Sequence, residues 1–446
     1  MANIKLINHS SVLIQEGDNF VLTDPWFEKP AFGSWLPTPP ISVHPAYLTA
    51  LQNSKAKFNI VISHGHDDHL DDHFLSLFCK HTRIIIPKYS SKGVVSRLKR
   101  IGFKNIVEVS SEGETFDGFT FKSYINPEVS RDDAIVTVRS ANSFIVHAND
   151  NWQKIGGETL VRILKDTKKF DSSQILYMSQ CNLADGYPNI YKNFSKREKI
   201  KIHNLRVDNI ISTSLSNAAV LGAKHFLNYA GYAASYVKGN PSLRDLTSYK
   251  TNAHVKKLQR KGKYAVEVLD MLPGDDFNFV EVKQQFPGIE LSEKNLKKES
   301  YAFYESYDRV SVCDSYKQTP INSAEGLELD LKLFLDSFSE FVSVRVEATQ
   351  FNVDIVGCKV IFEATDRDIR VEKVVGGEET FDSREATFSA PTGILRSVMS
   401  GEINWEHLYI GYAGEVTTQP KDLNIRAVVR WLAMYGYYYQ KVQNGW

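Results

Sequence analysis

VISHGHDDHLDDH, residues 61–73, is the stretch from which the rest of the chain is read. It opens as a short apolar strand, then sets His64, His66, Asp68 and His69 at the spacing H-x-H-x-D-H. In an extended or turning backbone, side chains repeat with a period of two. His64 and His66 therefore point the same way and can grip one ion as neighbouring imidazoles. Asp68 and His69 follow one turn later and can face a second ion beside the first. Imidazole and carboxylate suit Zn²⁺, Fe and Mn²⁺, and two ions about 3.5–4 Å apart can activate a bridging water or dioxygen. Gly65 keeps the turn uncrowded. One or two transition-metal ions, Fe or Zn, are expected here.

Around this segment the first 150 residues read as short strands between polar turns: 3–6, 11–15, 19–23, 59–63, 83–87, 119–124, 134–138 and 143–147. Helical periodicity appears around 72–80 and 91–100. Strands with interleaved helices predict a layered α/β fold whose loops gather at strand ends. A proline- and tryptophan-rich stretch, DPWFEKPAFGSWLPTPP (24–40), is expected to be irregular. A second α/β half runs from ILYMSQ (175–180) to AKHFLNYAGY (223–232). Composition turns polar between about 285 and 325. We expect one domain over 1–310 and a smaller α+β domain over 311–446, which would bind substrate or a partner.

The composition excludes several classes. Lys+Arg equals Asp+Glu at 53 each, so no bulk positive field draws the chain to nucleic acid, and no nucleic-acid partner is expected. No stretch approaches the roughly 18–20 apolar residues of a membrane span. The start, MANIKLINHSSVLIQEGD, lacks the pattern of a secretory signal. A cytoplasmic protein without a membrane partner is expected. Cys79, Cys181, Cys313 and Cys358 are scattered with no CxxC pair, so neither a disulfide framework nor an intrinsic iron–sulfur cluster is expected.

With these residues in view, the chain resembles the metallo-β-lactamase superfamily, whose hallmark is the H-x-H-x-D-H segment. The resemblance implies a four-layer αββα sandwich, α/β in class, with metals at one edge between two sheets. It also implies a bridging aspartate after a later strand, for which Asp150 in SFIVHAND is the candidate. An Asx-turn is the ordinary reading of that residue. His147 is one strand position too early and is expected to point into the core. Where further histidines would stand the chain has Asn126 and, near the end of a late strand, Ala230. Either the site holds one metal, or Asn126, Glu128 and water complete the shell. His225, at the start of that strand, is expected to be an ordinary half-buried histidine.

TDPWFEKPAFGSWLPTPP (23–40), VISHGHDDHLDDHFL (61–75), NPEVSRDDAIVTV (126–138), ADGYPNIY (184–191), YAGYAA (229–234) and INWEHLYIGYAGEVTTQP (403–420) are similar to one branch. It comprises CMP-N-acetylneuraminate hydroxylase and bacterial relatives acting on the N-acetyl group of sugar nucleotides. That likeness implies an iron-dependent oxygenase acting on a small anionic, sugar-nucleotide-like substrate. Those hydroxylases carry a Rieske domain, which this sequence lacks, so electrons would come from a separate Rieske or ferredoxin-type protein. The alternative is a hydrolase of a phosphodiester, amide or lactone, with Asp68 or Asp150 managing the proton. A metal-bearing scaffold without chemistry is a third reading.

Other residues complete the expectations. Asp24 is read either as a partner orienting a ligating imidazole or as a turn former. Trp26, Trp35, Tyr187 and Tyr232 are candidates to contact substrate, with core packing as the ordinary alternative. KREKIKIH (196–203) reads as a solvated helix face.

Overall fold

The computed structural model describes residues 1–27, 29–37, 45–54, 57–125, 133–231, 233–235, 250–285, 326–349, 357–375, 384–425, 428, 429, 431–433, 435 and 436. Two stacked sheets dominate. The first holds β1 (Asn3–Asn8), β2 (Ser11–Glu16), β3 (Asn19–Thr23), β5 (Lys57–Val61), β6 (Arg83–Pro87), β7 (Ile106–Val109), β16 (Asp276–Phe277) and β17 (Val282–Lys283). Its order is β17-β16-β1-β2-β3-β5-β6-β7. The second holds β8 (Glu114–Phe116), β9 (Phe119–Ile125), β10 (Ala134–Arg139), β11 (Phe144–Asn149), β12 (Ile175–Gln180), β13 (His225–Tyr229) and β15 (Glu267–Val268), in the order β15-β13-β12-β11-β10-β9-β8. In each sheet an antiparallel meander passes into parallel strands. Two further short strands, β4 (Trp35–Pro37) and β14 (Ala233–Ser235), pair with each other.

Alternation along the strands explains the layering. Val21, Val61 and Ile85 of the first sheet meet Phe121, Val136, Ile145, Met178 and Leu227 of the second. The neighbouring residues Leu22, Ile60 and Ile84 face outward onto helices α1 (Pro45–Asn53), α2 (Asp72–Ser76) and α3 (Gly93–Ile101), through Leu48, Phe74 and Leu98. On the far side Val146, Tyr177 and Phe226 pack against α4 (Gly157–Thr167), α5 (Lys196–Val220) and α6 (Asn252–Gly262), through Ile163, Ile211 and Val255. Strands buried on both faces read as continuous apolar runs, as NIVIS and RIIIP do. Each such side chain contributes roughly 1.5–3 kcal/mol by leaving water. The result is a four-layer αββα sandwich, the architecture that the resemblance implies.

A smaller α+β unit follows. Its sheet runs β19-β18-β20-β21, from β18 (Cys358–Ala364), β19 (Arg370–Val375), β20 (Glu385–Ala390) and β21 (Glu415–Gln419). Helices α7 (Leu327–Thr349), α8 (Thr392–Ser400) and α9 (Trp405–Tyr409) accompany it. The core of this unit includes Phe334, Phe362 and Trp405, and equally Trp26, Phe32, Trp35 and Tyr191 from the sandwich side. Strand bonds join the two as well, with Val416 N–H donating to Ile190 O (3.0 Å) and Lys192 N–H to Val416 O (2.8 Å). The boundary expected near 310 lies outside the described residues. The 24–40 stretch is less irregular than expected, because Trp35–Pro37 forms β4. Pro37 ends a strand of a two-stranded ribbon, the edge setting in which proline is tolerated. Among the described residues no helix is long and apolar enough to cross a membrane.

Candidate metal centre

The site lies where chain leaves the ends of β3, β5 and β11. The loop after β5 is braced from α3. Arg97 donates to Gly65 O (2.9 Å), Leu70 O (3.0 Å), Asp67 Oδ1 (3.0 Å) and Asp72 Oδ1 (2.7 Å). Asp71 caps α2 by accepting from Phe74 N–H (3.0 Å) and ties in the preceding loop by accepting from Phe27 N–H (3.1 Å). Between these anchors His64, His66, Asp68 and His69 have little freedom.

Asp24, at the end of β3, is fully buried and has a left-handed φ of 36°. That conformation is unusual for a residue with a side chain and is kept only where surrounding contacts enforce it. Its Oδ1 accepts from Ser63 N–H (2.7 Å) and its Oδ2 from Ser63 Oγ (2.6 Å). The same Oδ2 lies 3.0 Å from His69 Nδ1 and 2.9 Å from His147 Nε2. Burial alone would raise its pKa, but His147 and His69 together hold it well below the usual carboxylate range. An ionised Asp24 takes N–H donation from both rings. In its neutral form His69 is thereby set in the tautomer whose Nε2 lone pair faces the site, and that Nε2 is buried with no hydrogen-bond partner among the described residues. His147 Nδ1 accepts from Tyr229 O–H. His147 thus lies in the core, as expected, and supports the site through Asp24.

Two groups of ligand-type atoms result. In one, His64 Nε2 is 2.8 Å from His66 Nδ1 and 3.7 Å from Asp150 Oδ2. The His64 ring is oriented from behind, its Nδ1 lying 3.1 Å from Ser63 Oγ and 3.0 Å from Asn149 Nδ2. In the other, Asp68 Oδ2 is 3.5 Å from His69 Nε2 and 3.3 Å from His9 Nε2. Asp150 Oδ1 faces that second group at 3.8 Å from His69 Nε2. One carboxylate therefore turns one oxygen to each group. Gln180, with its amide placed to satisfy both neighbours, donates to Asp150 Oδ1 (3.1 Å) and accepts from Trp152 Nε1–H (3.1 Å). These clustered imidazole and carboxylate groups, with His69 Nε2 and Asp68 Oδ1 buried and without a hydrogen-bond partner among the described residues, are the donor set that divalent transition ions take. The residues fit such a group.

The electrostatics are divided. Burial, reinforced by His69 and His66, holds the His64 imidazole well below its usual pKa, in the neutral form a metal requires. Against burial, Asp68 and Asp24 raise His69 well above its usual value, and His69 and His9 hold Asp68 low. Burial raises Asp150, although His69 opposes it. Two acidic neighbours escaped the sequence reading. Asp133, at the start of β10, has Oδ1 3.8 Å from His64 Nδ1, and burial together with the Asp150 charge pushes it up to about 7. Glu406, on α9 of the C-terminal unit, has Oε1 3.7 Å from His66 Nε2. His9 also escaped, since a lone histidine in a turn carries no spacing signal.

The remaining candidates fall elsewhere. Asn126, Glu128 and Tyr232 lie outside the described residues. The substrate-contact reading of Trp26 and Trp35 is corrected. Both are buried, and their Nε1–H groups donate to backbone oxygens, of Lys29 (2.6 Å) and Ile410 (2.8 Å). Trp35 ties the loop to the C-terminal unit, and Trp26 ties the loop to itself. Tyr187 is half-buried in the same junction, edge-on to Tyr191 at 5.0 Å and under the Arg206 guanidinium. His225 is more buried than expected and places Nε2 3.2 Å from Ser173 O. The 196–203 run begins α5, with His203 turned inward.

No family model matches the chain. A protein of Mycolicibacterium smegmatis described as a Rieske 2Fe-2S iron–sulfur protein is 26% identical over 112 residues, 23% of this chain and 19% of that protein. The chain thus matches about a fifth of that relative's length. Among solved structures, the chain is similar to Igni18, a metallo hydrolase from Ignicoccus hospitalis KIN4/I, with 12% identity and a TM-score of 0.39, covering 62% of this chain and 98% of that one. It is also similar to CmlA, a diiron β-hydroxylase from Streptomyces venezuelae, with 14% identity, a TM-score of 0.39, and coverage of 60% and 52%. The metallo-β-lactamase fold protein YhfI from Bacillus subtilis gives 13% identity, a TM-score of 0.36, and coverage of 62% and 98%.

Proposed function

We propose that this chain is a metalloenzyme working at His64, His66, Asp68, His69 and Asp150, as the oxygenase component that hydroxylates an N-acyl group. Its substrate would be small and anionic, of the sugar-nucleotide type, and a separate Rieske or ferredoxin-type protein would deliver electrons. The carrying observation is Asp150, whose two oxygens divide between His64 and His69 at 3.7 and 3.8 Å. Transition-metal ions bound there would supply Lewis acidity and, as iron, dioxygen activation. Asp24 orients His69, Ser63 and Asn149 orient His64, and the core behind them excludes water.

Two features support the oxygenase reading. Four carboxylates, those of Asp68, Asp133, Asp150 and Glu406, stand on or beside the histidines, a mixture that suits iron as well as zinc. The matched mycobacterial relative is described as a Rieske protein. One observation favours hydrolysis of a phosphodiester, amide or lactone instead. Asp133, pushed up to about 7, would exchange a proton near neutral pH beside Asp150.

Elemental analysis of protein purified from its own host without added metal, with turnover measured with and without oxygen, tests the proposal. Iron with oxygen-dependent product formation is expected. Zinc with turnover under argon selects the hydrolase. A His66→Ala chain that keeps its biological activity overturns both.

A further inference from the structure

We propose that His9, from the turn between β1 and β2, is a metal ligand, completing a second ion site with Asp68 and His69. This rests on the metal reading above and deepens it. The geometry is that of neighbouring ligands. Atoms each about 2.0–2.1 Å from a tetrahedral ion are about 3.4 Å apart. Here Asp68 Oδ2 lies 3.3 Å from His9 Nε2 and 3.5 Å from His69 Nε2.

One proposed ligand atom, His69 Nε2, is buried with no hydrogen-bond partner among the described residues, and so are His9 Nδ1 and Asp68 Oδ1, the other polar atoms of the same ring and carboxylate. Native folds rarely leave buried polar atoms unpaired, and an unseen ion is a standard reason for several at one place.

The His9 ring is also held in position. Its backbone has a left-handed φ of 28°, and its carbonyl accepts from Ala230 N–H at 2.8 Å. Asn8, before it, donates to Trp26 O at 2.7 Å. Ser10, after it, places Oγ 3.0 Å from His69 Nδ1. The ring lies edge-on to Trp26 at 5.0 Å between centroids. Ala230 stands where the resemblance implies a late-strand histidine, and it carries only a methyl group. A second imidazole reaches that corner from the other sheet.

The test uses the full chain, stripped of metal and titrated with Co²⁺ or Zn²⁺ alone. Wild type should take up two ions, and His9→Ala should lose one of them or bind it at least tenfold more weakly. His66→Ala should weaken the other. His9→Cys should retain two ions, and its cobalt form should show a thiolate-to-cobalt charge-transfer band absent from wild type. Far-ultraviolet circular dichroism checks that each variant folds. Unchanged stoichiometry and affinity in His9→Ala, or no charge-transfer band in folded His9→Cys, overturns the role of His9 and leaves the His64–His66 site standing. A wild-type chain that takes up no ion overturns both readings.

Discussion

Glu406 Oε1 stands 3.7 Å from His66 Nε2, and the two residues belong to different structural units. The contact turns the outer nitrogen of His66 toward a carboxylate and leaves Nδ1 facing His64 Nε2 at 2.8 Å. Burial would lower the His66 pKa, but Glu406, Asp68 and Asp150 raise it. Partners of this kind are worth roughly 10–100-fold in metal affinity. Glu406→Gln is therefore expected to weaken ion binding about tenfold and lower the His66 pKa of the metal-free chain. Metal titration and imidazole NMR measure the two.

Asp24 holds two imidazoles and Ser63 with one carboxylate. Asp24→Asn puts an amide where both histidines need an acceptor, so His69 loses its enforced tautomer. Metal affinity should fall roughly 10–100-fold, with a lower melting temperature, because a buried network has lost a charged member. Calorimetry with and without Zn²⁺ separates the effects. Metal affinity unchanged in the variant would refute the orienting role of Asp24.

Asp133 gives a pH signature. Its folded pKa of about 7 exceeds the value of 3.8 for a free carboxylate. Between these values the folded, metal-free chain binds more protons than the unfolded one. Stability from this group is full below about pH 4 and is lost as pH rises through 7. The melting temperature of metal-free protein should drop across pH 5–7.5, and Asp133→Asn should flatten that slope. Scans at fixed ionic strength test it.

Gly411 is where the C-terminal unit meets the loop after β3. A methyl group there would lie 2.1 Å from Phe32 O and 2.5 Å from His407 O, both backbone atoms that cannot swing aside. Gly411→Ala should cost about 1–3 kcal/mol through overpacking. It should also disturb the bonds from Ser34 Oγ to Gly411 O (2.6 Å) and from Trp35 Nε1 to Ile410 O. Urea unfolding followed by tryptophan fluorescence reads both effects.

Much of the sandwich was legible because alternation and apolar runs report burial directly, as in β3, β5, β6, β10 and β11. Strands β7 and β8 were missed, since IVEV and ETF are short and half polar. The aromatic loop stayed open between pocket wall and core packing for a different reason. Trp35 reads as either until the chain after α9 is seen to meet it, and that chain lies hundreds of residues away.

The sequence by itself determined that His64, His66, Asp68 and His69 cluster, because a few residues after a strand have few ways to point their side chains. Only the tertiary structure decided which partners meet them. His9, Asp24, Asp133, Asp150 and Glu406 arrive on separate strands, turns and a helix of another unit. Their convergence depends on strand register, sheet stacking and the docking of the C-terminal unit. Those are set by the whole buried core, and no local spacing in the chain records them.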